Sequence, residues 1–90
     1  MNIIFLKSFY KDIKKIKNKE VKLKLEEFII EIENASSLEE VKNISKLKGY
    51  TIAFRAKIND YRVGMYKYDE FIELARFVKR EDIYKVFPKK

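Results

Sequence analysis

The sequence predicts an α+β fold: an N-terminal strand and a two-helix hairpin packed on one face of a small, mostly antiparallel twisted sheet. Three observations predict it. A short apolar run, Ile3 to Leu6, opens the chain; apolar residues then recur at helical spacing as far as Asn34; and from Tyr50 the period shortens to two, with β-branched, aromatic and Arg residues prominent. Ninety residues with two Gly and one Pro have room for one core and no long linker, so positions 1–90 are read as a single domain. Six Tyr and seven Phe supply the bulk that such a core needs.

The run from Asn2 to Leu6 suits a buried strand, and Ser8 is read as the N-cap of a helix carrying Phe9, Ile13 and Ile16 that ends near Asn18. Val21, Leu25, Phe28, Ile29 and Ile32 form the apolar stripe of a second helix over 19–34, with Lys22, Lys24, Glu26, Glu27 and Glu31 on its other faces. So short a connection makes the pair an antiparallel hairpin with a joint apolar face. Ser37 and Glu40 have capping-box spacing, and Leu38 and Val41 fit a single turn.

A strand over about 50–58, the turn Asn59-Asp60 and a strand over 61–68 make a tight hairpin in which Lys57 faces Arg62 and Arg55 faces Gly64. That register puts Ile52, Phe54, Ala56, Ile58, Tyr61, Val63 and Met65 on the helix side, and Arg55, Lys57, Arg62, Gly64, Tyr66 and Tyr68 on the other. Asp69-Glu70 turns into a last strand, 71–78. Strict alternation there puts Arg76 on the apolar side, where it must reach the rim or pair with a helix carboxylate. The end of the chain, from Lys79, is read as a short tail, extended or a single turn.

Twenty-one basic against fourteen acidic residues give a net charge of +7, which favours a polyanionic partner. All four Arg lie between positions 55 and 80, although Lys is the commoner base, and the guanidinium fork is the group that binds phosphate bidentately. With neither Cys nor His there is no disulfide, thiol nucleophile, zinc cluster of the usual kind or imidazole base, and no cofactor or metal is expected. No segment is long and apolar enough to span a bilayer or form a signal-peptide core; a cytoplasmic protein with no membrane partner is expected.

The sheet face opposite the helices gathers Arg55, Lys57, Arg62 and Tyr66, joined from the tail by Arg80 and Tyr84. Cations to hold phosphates and rings to stack on unpaired bases suit RNA. Such a face either binds only, or cleaves by driving a ribose 2′-hydroxyl onto the adjacent phosphorus, a reaction that needs no enzyme nucleophile. Cleavage requires a proton acceptor, cations for the phosphorane and a donor for the leaving oxygen. Lys57 beside Arg62 is a candidate base, and Tyr84 can donate or orient. Arg62 and Arg80 could instead pair with Glu73, Glu81 or Asp82 as ordinary surface ion pairs.

Lys46-Leu47-Lys48-Gly49, Phe54-Arg55-Ala56-Lys57, Asp60-Tyr61-Arg62-Val63-Gly64 and Lys79-Arg80-Glu81-Asp82-Ile83-Tyr84 with Phe87-Pro88, in this order and spacing, resemble the RelE/ParE superfamily of type II toxins. The resemblance implies a RelE-like fold and a metal-independent endoribonuclease that cuts messenger RNA on the ribosome. Carried over by position, Arg62, Arg80, Tyr84, Lys57 and Arg55 become the catalytic set. Lys48, Tyr66, Lys79 and Lys85 are the basic and aromatic residues expected to bind substrate. The chain has Ala53 where some ribosome-dependent members have a further Lys, and Lys79 where many have His. Either the chemistry is redistributed onto Arg55, Lys57 and Lys79, or the enzyme is slow. The resemblance also implies a cognate antitoxin and a toxin–antitoxin hetero-oligomer. The alternative within the superfamily is a ParE-like gyrase inhibitor without nuclease activity.

Overall fold

The computed structural model describes residues 1–88. Five strands, β1 (Asn2–Phe5), β2 (Ile44–Lys46), β3 (Ala53–Ile58), β4 (Tyr61–Lys67) and β5 (Phe71–Lys79), form one sheet in the order β1-β5-β4-β3-β2. Helices α1 (Lys7–Lys14) and α2 (Lys19–Asn34) precede β2, and a short helix α3 (Ile83–Val86) follows β5. β1 runs parallel to β5 while every other pairing is antiparallel. β1 is thus an edge strand of the sheet and not a buried one: Ile3 and Phe5 lean on the core while Asn2 and Ile4 stay exposed.

The main core lies between the sheet and the first two helices. Phe9 and Ile16 meet Val21, Leu25, Phe28 and Ile32 there, over Ala56, Ile58, Val63, Met65, Leu74 and Phe77. α2 occupies the span its periodicity predicts, and Asn18 begins it: Oδ1 accepts the backbone N–H groups of Glu20 at 2.9 Å and Val21 at 3.2 Å. Asn18 therefore caps the second helix, and α1 has already ended at Lys14. The α-amino group of Met1 donates to the carbonyl of Glu33 at 2.8 Å, at the negative end of the α2 dipole.

Ser8 is not a cap. α1 starts two residues earlier than that cap implies, at Lys7 after Leu6, and the Ser8 hydroxyl donates to the carbonyl of Ala75 at 2.6 Å. That carbonyl belongs to a β-bulge. Met65 pairs with Leu74 but its neighbour Gly64 pairs with Arg76, which leaves Ala75 as the extra residue. The bulge resets the parity of β5, so Leu74 and Phe77 both enter the main core and Arg76 leaves the apolar side. Arg76 reaches Asp12 on α1, the helix-carboxylate alternative of the sequence reading, with Nε to Oδ2 at 2.7 Å and Nη2 to Oδ1 at 3.0 Å. Asp12, 4% exposed, also accepts the Phe77 N–H at 2.9 Å. The Arg76 guanidinium is held above its ordinary pKa chiefly by this bond.

The Ser37 box does not close. Ser37 makes no capping bond, and Glu40 instead accepts the Ser36 N–H at 3.1 Å. β2, three residues long, was not expected; it completes the free edge of β3 with Ser45 opposite Arg55.

Candidate functional site

The β3–β4 hairpin has the predicted register, with Ile58 opposite Tyr61, Lys57 opposite Arg62 and Arg55 opposite Gly64. Asn59 takes the tight turn with a φ of 52°, a left-handed conformation that Asn tolerates better than most residues. Arg55 and Arg62 consequently project from the sheet on the side away from α1 and α2.

The tail does not hang free across this face. Ile83 and Phe87 are buried with Leu47, Ala53 and Ala75 in a second core on the outer side of the sheet. The ring of Phe87 rests on Gly64, where a Cβ would come within 2.6–2.8 Å of it, and its centroid lies 5.0 Å from that of Tyr66. The i, i+4 spacing of Ile83 and Phe87 was the available sequence signal for this patch. Clamped in this way, α3 presents Tyr84 beside the hairpin. The hydroxyl of Tyr84 accepts from Arg55 Nε at 3.0 Å. The N–H of Arg80 donates to the carbonyl of Asp60 at 2.7 Å, tying the end of β5 to the hairpin turn.

Arg55, Arg62, Arg80 and Tyr84 thus converge. The electrostatics of Arg62 record it: partial burial, then the charges of Arg55 and Arg80, hold its guanidinium below its ordinary pKa, with Tyr84 and Asp60 opposing. Arg62 Nη1 folds back to donate to the carbonyls of Tyr61 at 2.8 Å and Asn59 at 3.0 Å. Among the described residues none of these three arginines forms a salt bridge, so the ion-pair alternative is absent. Glu73 accepts from Tyr68, and Asp82 pairs with Lys85. Arg55 Nη1 is buried with no hydrogen-bond partner among the described residues, an arrangement that costs stability until an acceptor reaches it.

The other expected residues lie at different distances from this centre. Lys48 lines a cleft of about 380 Å³ with Tyr84 and Phe87. Lys57 is opposite Arg62 in the ladder but also borders a cleft against α2, with Lys24, Glu27, Glu31 and Lys42. Tyr66 packs on Phe87. Lys79 pairs with Tyr61, so strand alternation turns it to the helix side of the sheet, away from Arg62. Lys85 is exposed and bonded to Asp82 at 3.3 Å. No helix among the described residues is long and apolar enough to cross a membrane.

No protein-family model matches the chain. The chain is 33% identical over 89 residues to Toxin RelE3 of Methanocaldococcus jannaschii, covering 98% of this sequence and all of that one. Its fold is similar to the toxin in the RelB–RelE antitoxin–toxin complex from Methanococcus jannaschii, with a TM-score of 0.81 and 30% identity over 94% of this chain and 99% of that one. The YoeB dimer from Staphylococcus aureus gives a TM-score of 0.70 and 26% identity over 88% and 94%. A ParE-like assignment is not favoured by these relatives. The chain belongs to the RelE family of toxins.

Proposed function

We propose that this toxin is a metal-independent endoribonuclease acting on messenger RNA at the ribosome. The observation that carries the reading is the convergence of Arg55, Arg62 and Arg80 without a carboxylate partner among the described residues, next to Tyr84. Three like charges held together cost the free protein; a phosphate with developing negative charge offsets that cost most fully in the transition state.

In this mechanism Arg62 and Arg80 hold the scissile phosphate and Arg55 stabilises the phosphorane. The 2′-oxygen forms a bond to phosphorus as its proton passes to a base, for which Lys57 is the candidate. The bond to the 5′-oxygen breaks, and Tyr84 orients or protonates that oxygen. The products are a 2′,3′-cyclic phosphate and a 5′-hydroxyl, so no protein nucleophile and no metal are used. Lys48 extends the cationic surface beside Tyr84. Tyr66 supports Phe87, while Lys79 and Lys85 add long-range attraction for the RNA rather than contacts at the reacting phosphate.

A cognate antitoxin belongs to the same reading. The M. jannaschii relative was solved with an antitoxin. This chain carries +7 together with exposed Tyr10, Leu23 and Ile30 on its helices, features that an acidic, amphipathic partner segment would cover.

Expression of wild type and of Arg62→Ala and Arg80→Ala, with the 5′ ends of cellular transcripts mapped, tests the proposal. Message cleavage by wild type that falls about 10²–10³-fold in each variant is expected, and metal independence is tested on free RNA, whose cleavage by wild type should persist in EDTA. Intact messages with inhibited DNA supercoiling would overturn it.

A further inference from the structure

The cleft beside Tyr84 has a second aromatic wall. Tyr50 lines the same cleft of about 380 Å³, together with Lys48, Tyr84 and Phe87. Both rings are unusually open for large aromatics, Tyr50 at 41% and Tyr84 at 63% exposed. Both are nevertheless anchored to one support, the second core. Tyr50 follows a tight turn closed by its N–H to the carbonyl of Leu47 at 3.2 Å, with Gly49 at a φ of 86°. Leu47 is buried in the second core. Tyr84 stands between Ile83 and Phe87, which are buried in that same core, and its hydroxyl is bonded to Arg55.

We propose that Tyr50 and Tyr84 form a slot for one unpaired nucleobase of single-stranded RNA, next to the phosphate held by the arginines. The inference rests on the ribonuclease reading and adds Tyr50 to it as a substrate-positioning residue. A nucleobase offers two flat apolar faces attached to an anionic chain. The cleft offers two exposed tyrosines and a lysine in its lining, and Arg55 bonded to the Tyr84 hydroxyl. Stacking is tolerant of base identity, so the slot fixes the chain's position and leaves preference among bases to other contacts.

The test uses a 2′-O-methylated oligoribonucleotide, which cannot be cleaved, carrying 2-aminopurine at successive positions. It is presented free at low salt, and also as message on programmed ribosomes. Wild type should quench the fluorophore at one position next to the protected phosphate. Tyr50→Leu should lose that quenching and weaken binding about 5- to 150-fold, whereas Tyr50→Phe should keep both. An oligonucleotide abasic at that position should bind wild type and Tyr50→Leu alike. Circular dichroism of Tyr50→Leu should match wild type, since the side chain is surface-exposed. Equal binding of the base-containing oligonucleotide by wild type and Tyr50→Leu, with Arg62→Ala still impaired, would overturn the slot and leave the ribonuclease reading standing. No binding by wild type in either setting would overturn both.

Discussion

The ring of Phe87 lies so close to Gly64 that a Cβ at that position would stand 2.6–2.8 Å from three of its carbons. The contact joins the tail to the sheet where Arg55 faces Gly64 in the ladder, and it holds α3 so that Tyr84 meets Arg55. A residue without a side chain is therefore part of the site's construction.

Gly64→Ala should push Phe87 off the sheet. Its ring is 2% exposed and sits in the second core, so overpacking should cost about 1–3 kcal/mol in urea denaturation. Cleavage should fall further than stability does, because Tyr84 moves with α3. Combining Gly64→Ala with Phe87→Leu should restore part of both. Unchanged activity in Gly64→Ala would mean that α3 does not position Tyr84.

Asp12 ties α1 to β5 through Arg76. Asp12→Ala leaves the Arg76 guanidinium and the Phe77 N–H without their acceptor, and should lower stability by about 3–5 kcal/mol. Asp12→Asn, which keeps an acceptor oxygen but not the charge, should fall between. Denaturant midpoints of the two variants measure the difference; equal midpoints for Asp12→Ala and wild type would remove the pair from the account of the fold.

The hairpin was legible because it is governed by local rules: a two-residue turn containing Asn, strict alternation and a partner strand immediately next in sequence. Arg55, Arg62, Arg80 and Tyr84 could be grouped from that register and the tail's short distance from it. What stayed hidden depended on distant partners. β2 is three residues long and has no period to detect; it is a strand because β3 offers an edge to pair with. The bulge at Ala75 is set by the need to bring Leu74 and Phe77 to one side, and Ser8 was misread because its true partner is the bulged carbonyl 67 residues away. Asp12 follows Phe9 at helical spacing on the apolar face of α1, where an acidic residue stands out, but only the fold shows that Arg76 is its partner.

Arg62 should display a conflict between function and stability. Its lowered pKa means that the charged form is disfavoured by the fold, yet Arg is protonated in both folded and unfolded chains at any working pH. The effect is therefore constant near neutrality and appears in the dependence on salt. Arg62→Gln should leave the denaturation midpoint at low salt equal to or above that of wild type, despite losing two bonds to the turn, and should respond less to added salt. Its cleavage activity should be lost. A clear fall in the low-salt midpoint would show that the turn bonds outweigh the repulsion.

Tyr68 supplies an alkaline signature. Partial burial, then the Glu73 carboxylate, raises its phenol above the ordinary value of 10.0. A raised folded-state pKa favours the neutral phenol in the fold, so its contribution is complete below about pH 10 and disappears as pH rises through the folded value. In absorbance titration, Tyr68→Phe should remove from the wild-type profile one ionisation that lies above the ordinary value of 10.0. The stability of Tyr68→Phe should also decline less steeply than that of wild type as pH rises above about 10.

The bond from Arg55 Nε to the Tyr84 hydroxyl at 3.0 Å makes the two residues a unit, and a double-mutant cycle can measure it. Tyr84→Phe removes the acceptor and leaves the ring, so base stacking survives while Arg55 loses its tether beside an Nη1 that already lacks a partner among the described residues. Arg55→Ala removes the cation and frees the hydroxyl. Each should slow cleavage, but the double variant should be faster than the product of the single losses predicts, by about 2- to 150-fold, the range found for side chains in direct contact. The readout is the single-turnover rate at saturating RNA, which excludes differences in binding. Strict multiplicativity would mean that Tyr84 acts on the substrate independently of Arg55, leaving its hydroxyl to serve the leaving oxygen alone.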